Sequence, residues 1–171
     1  MCRIVGVYQN NYSGQYDLSA IGDEMRDTMI LGGPDSAGNH VDAENGLYLG
    51  HRRLSIIDLS ALGHQPMTFD QYEIAFNGEI YNYQEIKKEL ESVGHQFKSN
   101  SDTEVVLKSF IQWGKSCVEK FHGMWAFAIW NRENKGLTLC RDRMGVKPLF
   151  YYLKDNTLLF SSELKAFHKF P

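Results

Sequence analysis

A cysteine follows the first methionine of this chain, and the pair Met1-Cys2 can do chemistry that an internal cysteine cannot. Removal of Met1, which needs a small residue next in line, would leave a thiol and a free α-amine on one carbon. The amine, with an ordinary pKa of roughly 7.7–8.0, can take the proton of a thiol near ~8.5, so the pair can attack an amide without a borrowed histidine. A lone cysteine at this position is more often an accident than a nucleophile. What moves the balance is its company, Asn77-Gly78-Glu79 and Ser101-Asp102.

Other candidate chemistry is thin. Cys117 and Cys140 form no CxxC pair with each other or with Cys2, and three widely spaced cysteines make no disulfide framework. Cys117 falls in the apolar pattern around Trp113 and Phe121, and Cys140 in a strand-like run, so both are expected in the core as small hydrophobes. The six histidines fall in no metal-binding spacing, and no catalytic metal is expected. Gly32-Gly33-Pro34-Asp35-Ser36 looks like a phosphate-cradling loop, but a helix pattern precedes it, Leu31 stands where such a loop opens with Ser, and a proline sits inside.

Composition sets the frame. With 171 residues, 43% hydrophobic and 23% charged, the chain is expected to be one globular domain over residues 1–171. A net charge of −3 offers no electrostatic footprint for nucleic acid or for anionic membranes. No apolar run approaches the ~20 residues of a membrane span, and no signal peptide is evident, so a cytoplasmic protein is expected.

The elements that must position Cys2 and its company can be read from periodicity. Arg3–Tyr8 reads as a strand with Cys2 at its mouth. Leu18, Ile21, Met25 and Met29 mark a helix capped by Asp17 and broken by Gly32-Gly33-Pro34. Short strands are expected at 46–49, around 54–57, and at 72–76 ahead of an Asn77-Gly78 turn. A second helix carries Tyr83, Ile86, Leu90 and Val93 and is closed by Gly94. A third spans about 103–113, with Ser101 or Asp102 as its cap. The last third, with apolar runs at 124–130, 137–140, 149–152 and 158–161, reads as a β meander covered on both faces. A short helical pattern begins at Glu163. Helices grouped between sheet segments suggest a layered α+β sandwich.

Taken in order, Met1-Cys2-Arg3-Ile4-Val5-Gly6, Gly33-Pro34-Asp35, Gly50-His51-Arg52-Arg53-Leu54-Ser55-Ile56-Ile57-Asp58 and Gly63-His64-Gln65-Pro66-Met67 lead into Phe76-Asn77-Gly78-Glu79-Ile80-Tyr81-Asn82. Ser101-Asp102-Thr103-Glu104, Gly123-Met124-Trp125-Ala126-Phe127-Ala128 and Arg141-Asp142-Arg143-Met144-Gly145-Val146-Lys147-Pro148-Leu149 follow. The set resembles the glutamine-hydrolysing domain of the asparagine synthetase family, a class II glutamine amidotransferase of the N-terminal-nucleophile hydrolase type, over essentially the whole chain. The resemblance implies a four-layer αββα sandwich. It implies attack of Cys2 on the side-chain amide of glutamine, an oxyanion held by the Asn77 side chain and the Gly78 N–H, and hydrolysis of a glutamyl thioester. Arg53 would take the α-carboxylate of glutamine, Glu79 and Asp102 its α-ammonium, and the backbone near Leu54 and Ile56 would complete the pocket. Each residue also has a plainer reading: Arg53 a surface charge, Asp102 a helix cap, Asn77-Gly78 a hairpin turn.

No cofactor is expected in this chain. The resemblance implies a separate ATP- and Mg-dependent synthetase domain or subunit as partner, which nothing in these residues matches, and it admits a homodimer. Two positions depart from the family pattern. Arg3 stands where glycine follows the nucleophile, and Leu31-Gly32-Gly33-Pro34-Asp35 stands for His-Arg-Gly-Pro-Asp, whose arginine lies near the nucleophile, where a cation favours thiolate. Three readings therefore stay open: a glutaminase serving amidation of aspartate or a related carboxylate, a weakened or inactive relative used as a binding or regulatory partner, and an amidotransferase for a sugar or another acceptor.

Overall fold

The computed structural model describes residues 2–56 and 58–171. The expectations about removal of Met1 and a strand reaching Ile57 concern residues outside that set. The chain runs β1 (Arg3–Gln9), α1 (Leu18–Asp27), β2 (Ser36–Asp42), β3 (Leu47–Arg53), β4 (Met67–Phe69), β5 (Tyr72–Ile80), α2 (Tyr83–Ser92) and α3 (Asp102–Trp113). It continues through β6 (Gly123–Asn131), β7 (Gly136–Arg141), β8 (Phe150–Lys154) and β9 (Thr157–Ser161) to a final 3-10 turn at Leu164–Lys169.

Two antiparallel sheets result. One has the order β2-β3-β1-β9-β8 and the other β4-β5-β6-β7. Alternation along each strand sends successive side chains to opposite faces, and here both faces are apolar. Val5 and Val7 pack with Tyr48 against Leu18 and Met25 of α1. The opposite phase, Ile4, Leu47 and Leu49, meets Ala75, Ala126, Ala128 and Trp130 between the sheets. On the far side of the second sheet, Ile74, Phe76, Phe127 and Ile129 pack against Ile86 and Leu90 of α2 and Val105 and Val106 of α3. The layers are therefore α1, five strands, four strands, and α2 with α3, the expected αββα sandwich.

The three longer helices are where they were expected, with their caps, although α1 ends at Asp27, short of Met29, and the pattern from Glu163 forms only a 3-10 turn. The Asp17 carboxylate accepts from the Ala20 N–H, Gly94 ends the α2 region at φ +99°, and the Ser101 hydroxyl accepts from the Thr103 N–H. Ser101 is thus the cap of α3, and Asp102 is its first residue.

Several expectations are corrected. The run at 46–49 belongs to a strand that continues to Arg53, because polar His51 to Arg53 interrupt the apolar pattern but stay in the ladder between β1 and β2, and residues 54–56, expected in a strand, lie beyond its end. Strand β2 was not foreseen, because its polar residues lack alternation. Asn77-Gly78 is not a turn. Both residues lie inside β5, paired with Ala126 and Trp125 of β6. The final four strands are two hairpins in different sheets rather than one meander. Every residue of β8, an edge strand, is exposed, so that strand is not covered on both faces. Cys117 is buried as expected, while Cys140 is only half-buried.

Candidate active site

The site forms where the layer between the sheets runs out of apolar residues. Ile4 faces that layer, and Cys2, two residues earlier on the same phase, faces it from the mouth of β1. Ala75 faces it, and so do Asn77 and Glu79 further along β5. Leu47 and Leu49 face it, followed by His51 and Arg53 on β3. The period-2 rule thus carries Cys2, Arg53, Asn77 and Glu79 to one end of one layer. All eight residues singled out from sequence, Cys2, Arg53, Leu54, Ile56, Asn77, Gly78, Glu79 and Asp102, line a single cleft there.

The Cys2 thiol donates to the Leu54 carbonyl at 3.5 Å, and the Leu54 N–H approaches its sulfur at 3.4 Å. Burial pushes the thiol above its ordinary range; the Leu54 N–H and the Arg53 charge pull it down, and Asp102 pushes it up. The Arg53 guanidinium is held under the 58–63 segment. Its Nη1 donates to the Ser60 carbonyl at 3.0 Å and its Nη2 to the Asp58 carbonyl. A Cβ on Gly63 would lie 2.3 Å from Nη2, so a side chain at that position would displace the guanidinium from where it is held.

Strand β5 supplies an open edge. Its ladder with β6 is bracketed by Arg132 N–H to Gln71 O and Tyr81 N–H to His122 O, so odd-numbered residues of β5 bond to β6. Even-numbered residues face the other way, where Tyr72 and Ile74 pair with β4. Past β4, side chains take over. The Gln65 Oε1 accepts from the Phe76 N–H at 2.6 Å, and the Asp102 Oδ2 accepts from the Ile80 N–H at 3.1 Å. Between them the Gly78 N–H points at the cleft. His51 Nε2 donates to the Phe76 carbonyl at 3.1 Å, and burial drives this imidazole to about 3, leaving it neutral. A Cβ on Gly78 would meet the Met124 carbonyl oxygen at 2.5 Å, so close strand packing also requires glycine here.

Asn77 is 1% exposed, yet neither Nδ2 nor Oδ1 has a hydrogen-bond partner among the described residues. Buried polar atoms are almost always bonded, and exceptions mark strain or function. Asp102 is pushed up to about 6, by burial first and then by Glu79, against the pull of the Ile80 N–H.

Sequence reasoning missed part of this cleft. Gln65, Ser101, Thr103 and Lys147 also line it. Gln65 bridges Phe76 to the Thr103 hydroxyl, its Nε2 donating at 3.0 Å. Both Gln65 and Lys147 fall within motifs quoted above, but no local pattern assigned them a role.

The departures also have a geometry. The Arg3 Nε donates to Glu163 Oε1 at 2.6 Å and Nη1 to the Cys2 carbonyl at 3.0 Å. A Cβ on Gly32 would lie 2.6 Å from Arg3 Nε and 2.7 Å from its Cγ. The arginine side chain therefore covers the space that a side chain at position 32 would need.

Comparison with known proteins bears on the family and the fold. The sequence model of a family described as the glutamine amidotransferase domain matches residues 1–171. Asparagine synthetase (glutamine-hydrolyzing) 3 of Bacillus subtilis strain 168 is 43% identical over 153 residues, covering 87% of this chain and 24% of that protein. Asparagine synthetase (glutamine-hydrolyzing) 1 of the same organism is 40% identical over 169 residues, covering 97% of this chain and 26% of that protein. The chain thus spans about a quarter of the length of these relatives. Glutamine phosphoribosylpyrophosphate amidotransferase from Bacillus subtilis superposes with a TM-score of 0.82 over 98% of this chain and 43% of its own, at 20% identity, which speaks for the fold alone.

Proposed function

Because this chain belongs to the glutamine amidotransferase domain family, we propose that it hydrolyses the side-chain amide of glutamine to glutamate and ammonia, with Cys2 as nucleophile. Removal of Met1 exposes the α-amine of Cys2, which takes the thiol proton as sulfur attacks the amide carbon. The amide oxygen becomes an oxyanion between the Asn77 Nδ2 and the Gly78 N–H. The α-amine then passes its proton to the departing nitrogen, ammonia leaves, and water cleaves the glutamyl thioester to glutamate. Arg53 takes the α-carboxylate, a planar bidentate partner for a guanidinium. Asp102 and Glu79 take the α-ammonium, and backbone near Leu54 and Ile56 closes the pocket.

One observation carries this reading: a buried carboxamide with no hydrogen-bond partner among the described residues sits beside the outward-facing Gly78 N–H, in the same cleft as the thiol. Donors fixed in advance where charge develops are what amide cleavage requires, and a protein keeps an unbonded buried amide only at a cost. The ammonia would serve amidation of aspartate or a related carboxylate by an ATP- and Mg-dependent module outside these residues. On this reading the present residues need no cofactor of their own and work in the cytoplasm.

The test combines glutamate release with labelling. Intact mass should show Met1 absent, and an electrophilic glutamine analogue should modify Cys2 by peptide mapping and leave the Cys2→Ala variant unlabelled. Cys117, pushed up to about 12 by burial, should stay unmodified. A folded, Met1-free protein that neither releases glutamate nor labels at Cys2 would instead favour a non-catalytic relative.

A further inference from the structure

Lys147 is 1% exposed, yet it lines the same cleft as Cys2, Glu79 and Asp102. A buried ammonium is costly unless charges or dipoles compensate it, and the chain invests heavily in holding this one. It lies on the turn between β7 and β8, whose neighbouring side chains Met144 and Val146 are exposed by 87% and 57%. The lysine that follows Val146 is turned inward.

The turn is fastened at nearly every peptide. The Asp142 carboxylate accepts from the N–H groups of Met144 (3.1 Å), Val146 (2.9 Å), Lys147 (2.9 Å) and, across the sheet, Trp125 (3.2 Å). The Asp142 N–H donates to the Trp125 carbonyl at 2.8 Å. From the other side, Arg141 Nε donates to the Lys147 carbonyl at 2.9 Å and Nη2 to the Gly145 carbonyl at 2.6 Å. Both backbone polar groups of Lys147 are thereby fixed, and with them the origin of its side chain.

We infer that Lys147 is a positioning residue of the glutamine site, its buried ammonium balancing the Glu79 carboxylate and the Cys2 sulfur so that the cleft can carry negative charge on both. The inference rests on the glutaminase reading for its purpose, but its physical content is the charge coupling between Lys147 and Cys2. The charged groups around the thiol define what the lysine adds. Arg53 approaches from β3 and Asp102 from α3, and after removal of Met1 the α-amine is on Cys2 itself; Glu79 of β5 and Arg3 of β1 act on the lysine. Arg53 is tied to the 58–60 carbonyls and assigned to substrate, and Arg3 is engaged by Glu163 and the Cys2 carbonyl. Burial presses the Lys147 ammonium below its ordinary range while Glu79 and Cys2 hold it up. The coupling is reciprocal: what keeps the lysine charged also favours thiolate.

The experiment reads Cys2 directly. Iodoacetamide alkylation of Cys2 is followed by peptide mapping from pH 6 to 10 in wild type, Lys147→Met and Lys147→Arg, with folding checked by circular dichroism. Loss of the ammonium should raise the midpoint of alkylation by about one pH unit and slow the neutral-pH rate roughly tenfold, and arginine should restore most of both. An unchanged profile in folded Lys147→Met overturns the inference. Should Lys147→Met not fold, the Lys147 side-chain NMR signal, assigned by its loss in Lys147→Arg, should move when Cys2 of the wild type is capped by iodoacetamide. A signal indifferent to capping overturns it equally. Glutamate release by the wild type is measured in parallel, so failure of the glutaminase reading appears there and leaves the coupling result standing on its own.

Discussion

Replacing Asn77 with alanine should cripple turnover and leave the fold as stable as before or more so. The side chain is 1% exposed, and its Nδ2 and Oδ1 have no hydrogen-bond partner among the described residues. Leaving a buried polar group unbonded costs about 1–3 kcal/mol, whereas the truncation removes only a small carboxamide and few apolar contacts. The two terms leave a net gain of about 0–2 kcal/mol. For a chain of this length each kcal/mol moves Tm by roughly 2–4 °C, so Asn77→Ala should melt between the wild-type temperature and about 8 °C above it. Removing one of two oxyanion donors should lower kcat by ~10²–10³, about 2.7–4 kcal/mol. KM should hardly move, because the bond forms only as charge develops on the amide oxygen. Calorimetry and steady-state glutamate release on the same preparation check both halves. A Tm lowered by more than about 4 °C together with a kcat loss under tenfold would refute the reasoning, because Asn77 would then be an ordinary buried residue with partners.

Asp102 titrates at about 6, so it is neutral below that pH and charged above it. KM for glutamine should rise as pH falls through about 6, and Asp102→Asn should lose that dependence. Because the folded pKa of this acid lies above its unfolded value of ~3.9, the native state loses stability as pH rises between the two, and Asp102→Asn should be more stable at pH 7 by on the order of 2 kcal/mol. Gln65→Leu should orphan the Phe76 N–H, cost about 1–3 kcal/mol, and lower kcat more than it raises KM, since the residue holds β5 rather than substrate; Gln65→Glu, which keeps the acceptor for Phe76, should be milder. Gly32→Arg alone should displace Arg3 from Glu163 and destabilise the protein, while Gly32→Arg with Arg3→Gly should recover stability, with a coupling of about 0.5–3 kcal/mol in a double-mutant cycle. Additive effects on Tm would show that the two positions do not share space.

Helices were legible because their apolar spacing and their caps are local: Asp17, Ser101 and Gly94 stand where the periodicity changes. Strands were legible in part. Asn77-Gly78 has the composition of a turn, but β6 pairs with β5 as far as Ile80, and nine paired residues outweigh a dipeptide preference. The polar strand β2, from Ser36 to Asp42, exists because β3 is beside it to pair with, which no pattern within the segment reveals. Strand β8 misled in the opposite sense. Phe150, Tyr151 and Tyr152 read as covered on both faces and are exposed. The candidate site divides the same way. Its eight quoted residues came from motifs that gain their meaning when read together, by resemblance, while Gln65 and Lys147 matter through contacts to distant segments, which become visible only in three dimensions.

The position of the cleft nevertheless follows from a rule that operates along the chain. Two sheets packed face to face need an apolar layer between them, and each contributing strand supplies it at every second residue. Ile4, Ala75, Leu47 and Leu49 satisfy that demand. Continuing each count by two or four residues gives Cys2, Asn77, Glu79, His51 and Arg53, all polar or reactive, at one end of the layer. Polar residues on an inward-facing phase are expensive unless bonded, and only some of these are bonded within the protein. His51 discharges its obligation on the Phe76 carbonyl and Arg53 on the Asp58 and Ser60 carbonyls, while the Asn77 carboxamide discharges none among the described residues. A phase that stays inward while its chemistry turns polar and its bonds remain incomplete marks where the protein meets a ligand. The same logic explains the stability gains expected for Asn77→Ala and Asp102→Asn: the end of the layer is built for a bound molecule, and replacing its polar groups relieves a strain that the fold otherwise sustains.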